Sequence, residues 1–189
     1  VKLIYGEMFH PATYTDENKK SIFLKPDAIC LTVNSFIRKD GSSVMGRGCA
    51  KQANDRWPWI AGLWGKLAKN NAGVSVLCEV SDPAFKSLEL IAFPVKDSTE
   101  VCEDDKSNIV KHMKAQFNPG DDVPGWACKA RLDLITKSLI ELVAIADAYE
   151  YKTVILPRPG VGFGELPWVD VLTLLSVLDD RFFVISNNA

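Results

Sequence analysis

Leu156-Pro157-Arg158-Pro159-Gly160-Val161-Gly162-Phe163-Gly164-Glu165-Leu166-Pro167-Trp168 reads as a buried strand that runs into a glycine loop and then opens a helix. The apolar run Thr153 to Leu156 precedes three glycines on alternate positions, and an amphipathic segment starts near Pro167. Glycines permit positive φ and let a ligand approach the main chain closely. Backbone amides gathered at a helix start suit a phosphate or diphosphate. A tight strand-to-helix turn with no ligand fits the same residues equally well.

Working outward from this loop, strands and helices alternate. Val1 to Tyr5 and the almost wholly apolar run Ala28 to Val33 read as strands, the second buried on both faces. A helix is expected up to about Arg56, ended by Pro58, and another over Ile60 to Lys69, closed by Asn70, Asn71 and Gly73. Val74 to Val80 and Leu88 to Val95 are further strands. Leu132, Ile135, Leu139, Leu142, Ala146 and Tyr149 recur at three- and four-residue steps, so Ala130 to Tyr149 is an amphipathic helix. Thr153 to Leu156, a helix over Pro167 to Leu178 and a strand over Phe182 to Ser186 complete the chain. This order predicts an α/β fold, a three-layer α/β/α sandwich on a mixed, largely parallel central sheet. One domain over 1–189 is expected, with a polar, acidic surface insertion at 97–125 in which Ile109 to Phe117 is a candidate helix.

Composition narrows the function. The 22 basic and 24 acidic side chains leave a net charge of −2, so no global field recruits nucleic acid or a membrane. Cys30, Cys49, Cys78, Cys102 and Cys128 show no CxxC spacing, and His10 and His112 lie far apart and read as surface or capping residues, so neither a metal nor a disulfide framework is expected. No run approaches membrane-span length and no leader pattern opens the chain, which points to the cytoplasm.

In a largely parallel sheet, ligands sit beyond the carboxyl ends of the strands. Three such ends carry unusual residues: Asn34 followed by Met45-Gly46-Arg47-Gly48, then Phe93-Pro94-Val95-Lys96, then the Gly160 to Gly164 loop. Two glycine loops from neighbouring strands would form two amide-rich walls around a diphosphate. The dinucleotide fingerprint is missing, since Gly46-x-Gly48 has no glycine three residues later, and no GxxxxGK[ST] loop occurs. No cofactor is expected. Trp57, Trp59 and Trp64 lack an accompanying basic stripe and read as core or surface-patch residues.

Together these segments resemble a macrodomain, the ADP-ribose-binding module. Gly6-Glu7-Met8 is similar to the family's Gly-Asp-Ile/Leu turn, whose acid meets adenine, with Glu in place of Asp. Thr32-Val33-Asn34 matches the second half of its Val-Asn-x-x-Asn strand end, Leu31 replacing the first Asn, and Val44-Met45-Gly46-Arg47-Gly48-Cys49-Ala50 resembles its Val-Met-Gly-Lys-Gly-Ile-Ala loop. Phe93 to Lys96, Trp126-Ala127-Cys128-Lys129-Ala130-Arg131-Leu132 and the Pro157 to Gly162 stretch are most similar to the branch of DNA-de-ADP-ribosylating antitoxins and small ADP-ribosyl-glutamate hydrolases. That resemblance implies Lys96 as the catalytic nucleophile and Asn34 as the residue that orients the distal ribose. It implies a binding surface of Glu7, Met8, Met45, Gly46, Arg47, Gly48, Gly160, Val161, Gly162, Phe163 and Gly164. Where the glutamate hydrolases carry a catalytic Asp, this chain has Gly164, with Glu165 one position later.

The implied activity is hydrolysis of ADP-ribose from a modified protein carboxylate or nucleic-acid base. A phosphatase acting on ADP-ribose 1″-phosphate and a non-catalytic ADP-ribose reader are the alternatives. The expected partner is ADP-ribose or an ADP-ribosylated macromolecule, nucleic acid entering only as modified substrate. A free lysine amine can attack the anomeric carbon only if burial or a neighbouring cation lowers its pKa, for which Arg47, Lys129 and Arg131 are candidates.

Overall fold

A computed structural model describes residues 1–187. Its strands are β1 (Lys2–Tyr5), β2 (Ala28–Asn34), β3 (Ser75–Asp82), β4 (Lys86–Lys96), β5 (Thr99–Val101), β6 (Asp122–Pro124), β7 (Val154–Pro157) and β8 (Phe182–Ser186). Its helices are α1 (Gly48–Arg56), α2 (Ile60–Ala68), α3 (Leu132–Ala148) and α4 (Trp168–Leu174). Six strands form one sheet in the order β1-β8-β7-β2-β4-β3, parallel everywhere except at β3, which runs antiparallel to β4.

Successive strand residues point to opposite faces, so an unbroken apolar run feeds two cores at once. In β2, Ile29, Leu31 and Val33 join the core that packs α1 and α2 through Ala50, Ala53, Ile60 and Trp64. Ala28 and Cys30 join the other, built on Ile135, Leu139, Leu142 and Ala146 of α3. Phe183 and Ile185 of β8 face the first core, Phe182 and Val184 the second. Full burial of a side chain such as Phe93, 0% exposed, contributes on the order of 2–3 kcal/mol. These two cores make the predicted three layers.

Pro94 lies within β4 because β3 has already ended, its pairing stopping at Ser75 opposite Ala92. A missing N–H is tolerated where a strand has become an edge. The Pro94 carbonyl is taken up by the buried Ser138 hydroxyl of α3 at 2.8 Å. Directly beyond it the β2–β4 register slips, from Val33 opposite Pro94 to Asn34 opposite Lys96. Such a bulge re-aims side chains at a strand end.

Three expectations are revised. The segment 97–125 is more than a surface loop: β5 and β6 pair as an antiparallel ribbon over a small core of Cys102, Ile109, Val110, Met113, Val123, Ala127 and Cys128. The candidate helix at Ile109 to Phe117 is a 3₁₀ turn over Lys111–Gln116, because a segment this short gains little from helix propagation and the Val110 N–H is taken by the Ala127 carbonyl instead. The last helix stops at Leu174 and continues only as a 3₁₀ turn, Leu175–Val177, while Pro167 precedes it with extended ψ of 133°. Among the described residues, no helix is long and apolar enough to cross a membrane.

Candidate functional site

The carboxyl ends of β8, β7, β2 and β4, adjacent in the sheet, open into one cleft of about 420 Å³. Its walls are the loop into α1 (Gly46, Arg47, Gly48), the loop after β7 (Gly160, Gly162, Phe163, Gly164), the insertion (His112, Met113) and Trp126 just beyond it. Arg47, Lys96, His112 and Arg158 are its ionisable basic residues, and no carboxylate is among the described residues that line it. In a chain of net charge −2 this segregation favours an anionic occupant.

The glycines divide by what surrounds them. Gly46 and Gly162 line the cleft, and a Cβ on either would meet nothing within 4 Å, so their bareness keeps space open. Gly48 has φ +58°, a conformation costly for other residues, and begins α1. Gly160 and Gly164 serve packing, because a Cβ on Gly164 would sit 2.3 Å from the Gly160 carbonyl oxygen and 2.7 Å from Ala130 Cβ. The helix whose first turn borders the cleft is α1, through Gly48, Cys49 and Ala50. The helix start expected at Pro167 lies away from the cleft wall.

Lys96 ends β4, is 8% exposed, and its Nζ donates to the Phe163 carbonyl at 3.1 Å. Burial lowers its pKa to about 8, and Arg47 adds to the effect, while Cys128, Glu165 and Glu100 oppose it. The Cys128 thiol is itself pushed up to about 12, chiefly by burial, so it carries no charge near neutrality. Of the other cations proposed beside Lys96, Arg131 is occupied by Asp97 and Asp133, and the backbone N–H of Lys129 donates to Asn108 O at 2.7 Å.

Asn34 is 8% exposed and lines the cleft beside Lys96. Its amide already braces the loop: Nδ2 donates to Val44 O at 2.8 Å, and Oδ1 accepts from Phe36 N at 3.1 Å. An amide has two donors and two lone pairs, so one of each is left for a ligand. Met8 reaches the cleft from the apolar side, whereas Glu7 is exposed and pairs with His10 at 3.0 Å outside the lining. Met45 turns into the core beneath its loop, and Val161 also stands outside the cleft wall. Phe163 is 52% exposed and faces Arg47, with the guanidinium carbon 5.1 Å from the ring centroid, so the two glycine loops touch across the opening.

Sequence reasoning passed over His112, Met113, Trp126 and Arg158. Trp126 had a signal in the Trp126 to Leu132 match; His112 had none, since only the folded insertion brings it to the strand ends. Arg158 was inside the quoted loop, and its guanidinium lies 4.5 Å above the Trp168 ring with Nε buried and without a hydrogen-bond partner. Glu165, at φ +58°, accepts from the Lys111 N–H with both oxygens, at 2.8 and 3.1 Å, and so caps the 3₁₀ turn of the insertion.

No protein-family model and no curated protein matches this sequence. Solved structures do. The macrodomain of Mycobacterium tuberculosis DarG is similar with a TM-score of 0.61 over 99% of this chain and 98% of that one, at 21% identity. The macrodomain of Thermus aquaticus DarG gives 0.60 over 97% and 95%, at 17% identity. DarTG of Thermosipho africanus, solved in complex with ADP-ribose, gives 0.62 over 97% of this chain and 40% of that one, at 16% identity. With a six-stranded mixed sheet between two helical layers and a cleft at the strand ends, this chain has the macrodomain fold.

Proposed function

We propose that the chain binds ADP-ribose in this cleft and hydrolyses the bond between its distal ribose and an attached protein carboxylate or nucleic-acid base. The observation that carries the reading is Lys96: a buried amine with its pKa lowered to about 8, at the foot of a cleft with no carboxylate among the described residues that line it and flanked by two glycine loops. Neighbouring strands lie about 4.8 Å apart, so the span from β8 to β4 is roughly 15 Å, suited to an extended dinucleotide-like ligand. Met8 and Ile185 offer an apolar end for adenine, the α1 turn and the open positions at Gly46 and Gly162 receive the diphosphate, and Asn34 and Lys96 meet the distal ribose.

At pH near 8 a substantial fraction of Lys96 is the free amine. Its nitrogen attacks C1″, the attached group departs, and the resulting Schiff base is resolved by water. The placement of Gly164 and the engagement of Glu165 with Lys111 favour a mechanism without a loop carboxylate at the reacting carbon. They equally fit a reader that binds without turnover. Titration calorimetry with ADP-ribose, against ADP and NAD, tests the pocket, and release of ADP-ribose by wild type and Lys96→Ala tests the chemistry. Micromolar binding preferring ADP-ribose, with turnover lost in the variant, is expected. Binding without turnover selects the reader, and 1″-dephosphorylation unaffected by Lys96→Ala selects the phosphatase.

A further inference from the structure

We propose that His112 is the acid–base group of this hydrolysis and that Glu165 is the residue that positions it. This rests on the hydrolase reading above. A nucleic-acid base leaving C1″ beside Lys96 departs more readily with a proton, a carboxylate departs as its anion, and with either one some group must accept a proton when water adds to C1″. Among the described residues lining the cleft, Arg47 and Arg158 stay charged, and the Cys49 thiol has its pKa raised by burial. Apart from Lys96 itself, only His112 brings to the cleft a ring with one nitrogen that can donate a proton and another that can accept one.

Its mounting supports the role. His112 is exposed, but its neighbours are fixed: the Lys111 N–H is held by both Glu165 oxygens, and Met113 is 7% exposed in the core of the insertion. The imidazole is therefore carried on a turn pinned to the same glycine loop whose Phe163 carbonyl accepts from Lys96. Glu165 keeps a left-handed backbone at φ +58° to make that connection. Strain of this kind persists where surrounding contacts demand it.

The step balances as follows. The Lys96 nitrogen bonds to C1″ as the bond to the attached group breaks; a carboxylate leaves with the electron pair alone, and a base leaves with the electron pair and the imidazolium proton of His112. One proton on the nitrogen passes to the ring oxygen as the ring opens, giving a protonated Schiff base. Water adds to C1″ as the neutral imidazole takes its proton. The carbinolamine then expels the lysine amine, its hydroxyl proton going to nitrogen, and ADP-ribose closes its ring.

The test measures turnover against pH for ADP-ribose linked at C1″ to a glutamyl peptide and to a base in a single-stranded oligonucleotide. Other charged groups around the pair are Arg47, Arg158, Lys111, Glu100 and Glu165. For the base conjugate, a reaction needing a free amine at Lys96 and a proton on His112 gives a bell-shaped profile with a fall on its alkaline side. His112→Gln is expected to lower kcat about 100-fold, far more than any change in KM, and to convert that fall into a plateau. Glu165→Ala should lose about tenfold and Glu165→Gln should recover it, because a carboxamide oxygen still accepts from Lys111. A His112→Gln profile matching wild type overturns the assignment while leaving the hydrolase reading intact. A wild type that releases ADP-ribose from neither conjugate removes the hydrolase reading and this assignment with it.

Discussion

The two glycine loops that face each other across the cleft are built on opposite principles. The loop into α1 is open: Gly46, Arg47 and Gly48 are exposed, and its contribution comes from the amides of a helix turn. The loop after β7 is wedged: Gly160 and Gly164 are buried against Ala130, Ile135 and Leu166, and only Gly162 and Phe163 stand out into the cleft. One wall leaves its glycines bare to solvent, while the other is packed into the core. The insertion is tied to the wedged wall through hydrogen bonds from the Lys111 N–H to Glu165.

The sharpest way to break this contrast is Gly164→Ala. Its Cβ would meet backbone at 2.3 Å, and a loss on the order of 3 kcal/mol in urea unfolding is expected. A loss below about 1 kcal/mol would show that this wall yields as easily as the other. Gly162→Glu, two residues earlier, should leave stability within about 0.5 kcal/mol but weaken ADP-ribose binding at least about 100-fold by placing a carboxylate where the diphosphate is proposed to lie. Unchanged affinity in calorimetry would move the ligand elsewhere.

Lys96→Met sharpens the comparison from the floor of the cleft. The folded pKa of about 8 lies below the ordinary lysine value of 10.5, so the unfolded chain binds more protons between those values and wild-type stability rises with pH across that window. Below pH 8 the folded state bears the full cost of a buried ammonium, and the variant is expected to be more stable by on the order of 2 kcal/mol. That gain should fade as pH approaches 10.5, while turnover is absent throughout. A gain independent of pH would mean that the effect is packing alone. Smallest is Phe163→Ala, which removes the Arg47 contact between the loops, worth about 0.5–1 kcal/mol at an exposed site. A two- to fivefold change in affinity by calorimetry is expected, and a larger one would show that the ring itself packs on the ligand.

Much of the architecture was legible because it rests on local periodicity. Ala28 to Val33 had to be buried on both faces, and the three- and four-residue spacing from Leu132 to Ala146 had to form one apolar stripe; β2 and α3 occupy those residues. The cleft could be placed at the ends of β2, β4 and β7 because side chains at the carboxyl ends of adjacent parallel strands converge. Met45 in the core and Val161 outside the cleft lining were not legible, for a different reason. Within a loop, which residue turns inward depends on the packing beneath it, and no period records that.

The amino-acid sequence by itself determined the layers, the strand ends that form the site, and the presence there of Asn34, Lys96 and bare glycines, since burial patterns and residue types act over short range. Only the tertiary structure decided that Lys96 is buried enough to lose part of its charge, and that Gly46 and Gly162 border space while Gly160 and Gly164 fill it. It also decided that residues 97–125 fold with Ala127 and Cys128 on a small separate core and carry His112 to the cleft. Desolvation, free volume and the meeting of distant segments are properties of the packed chain, and no local window of sequence contains them.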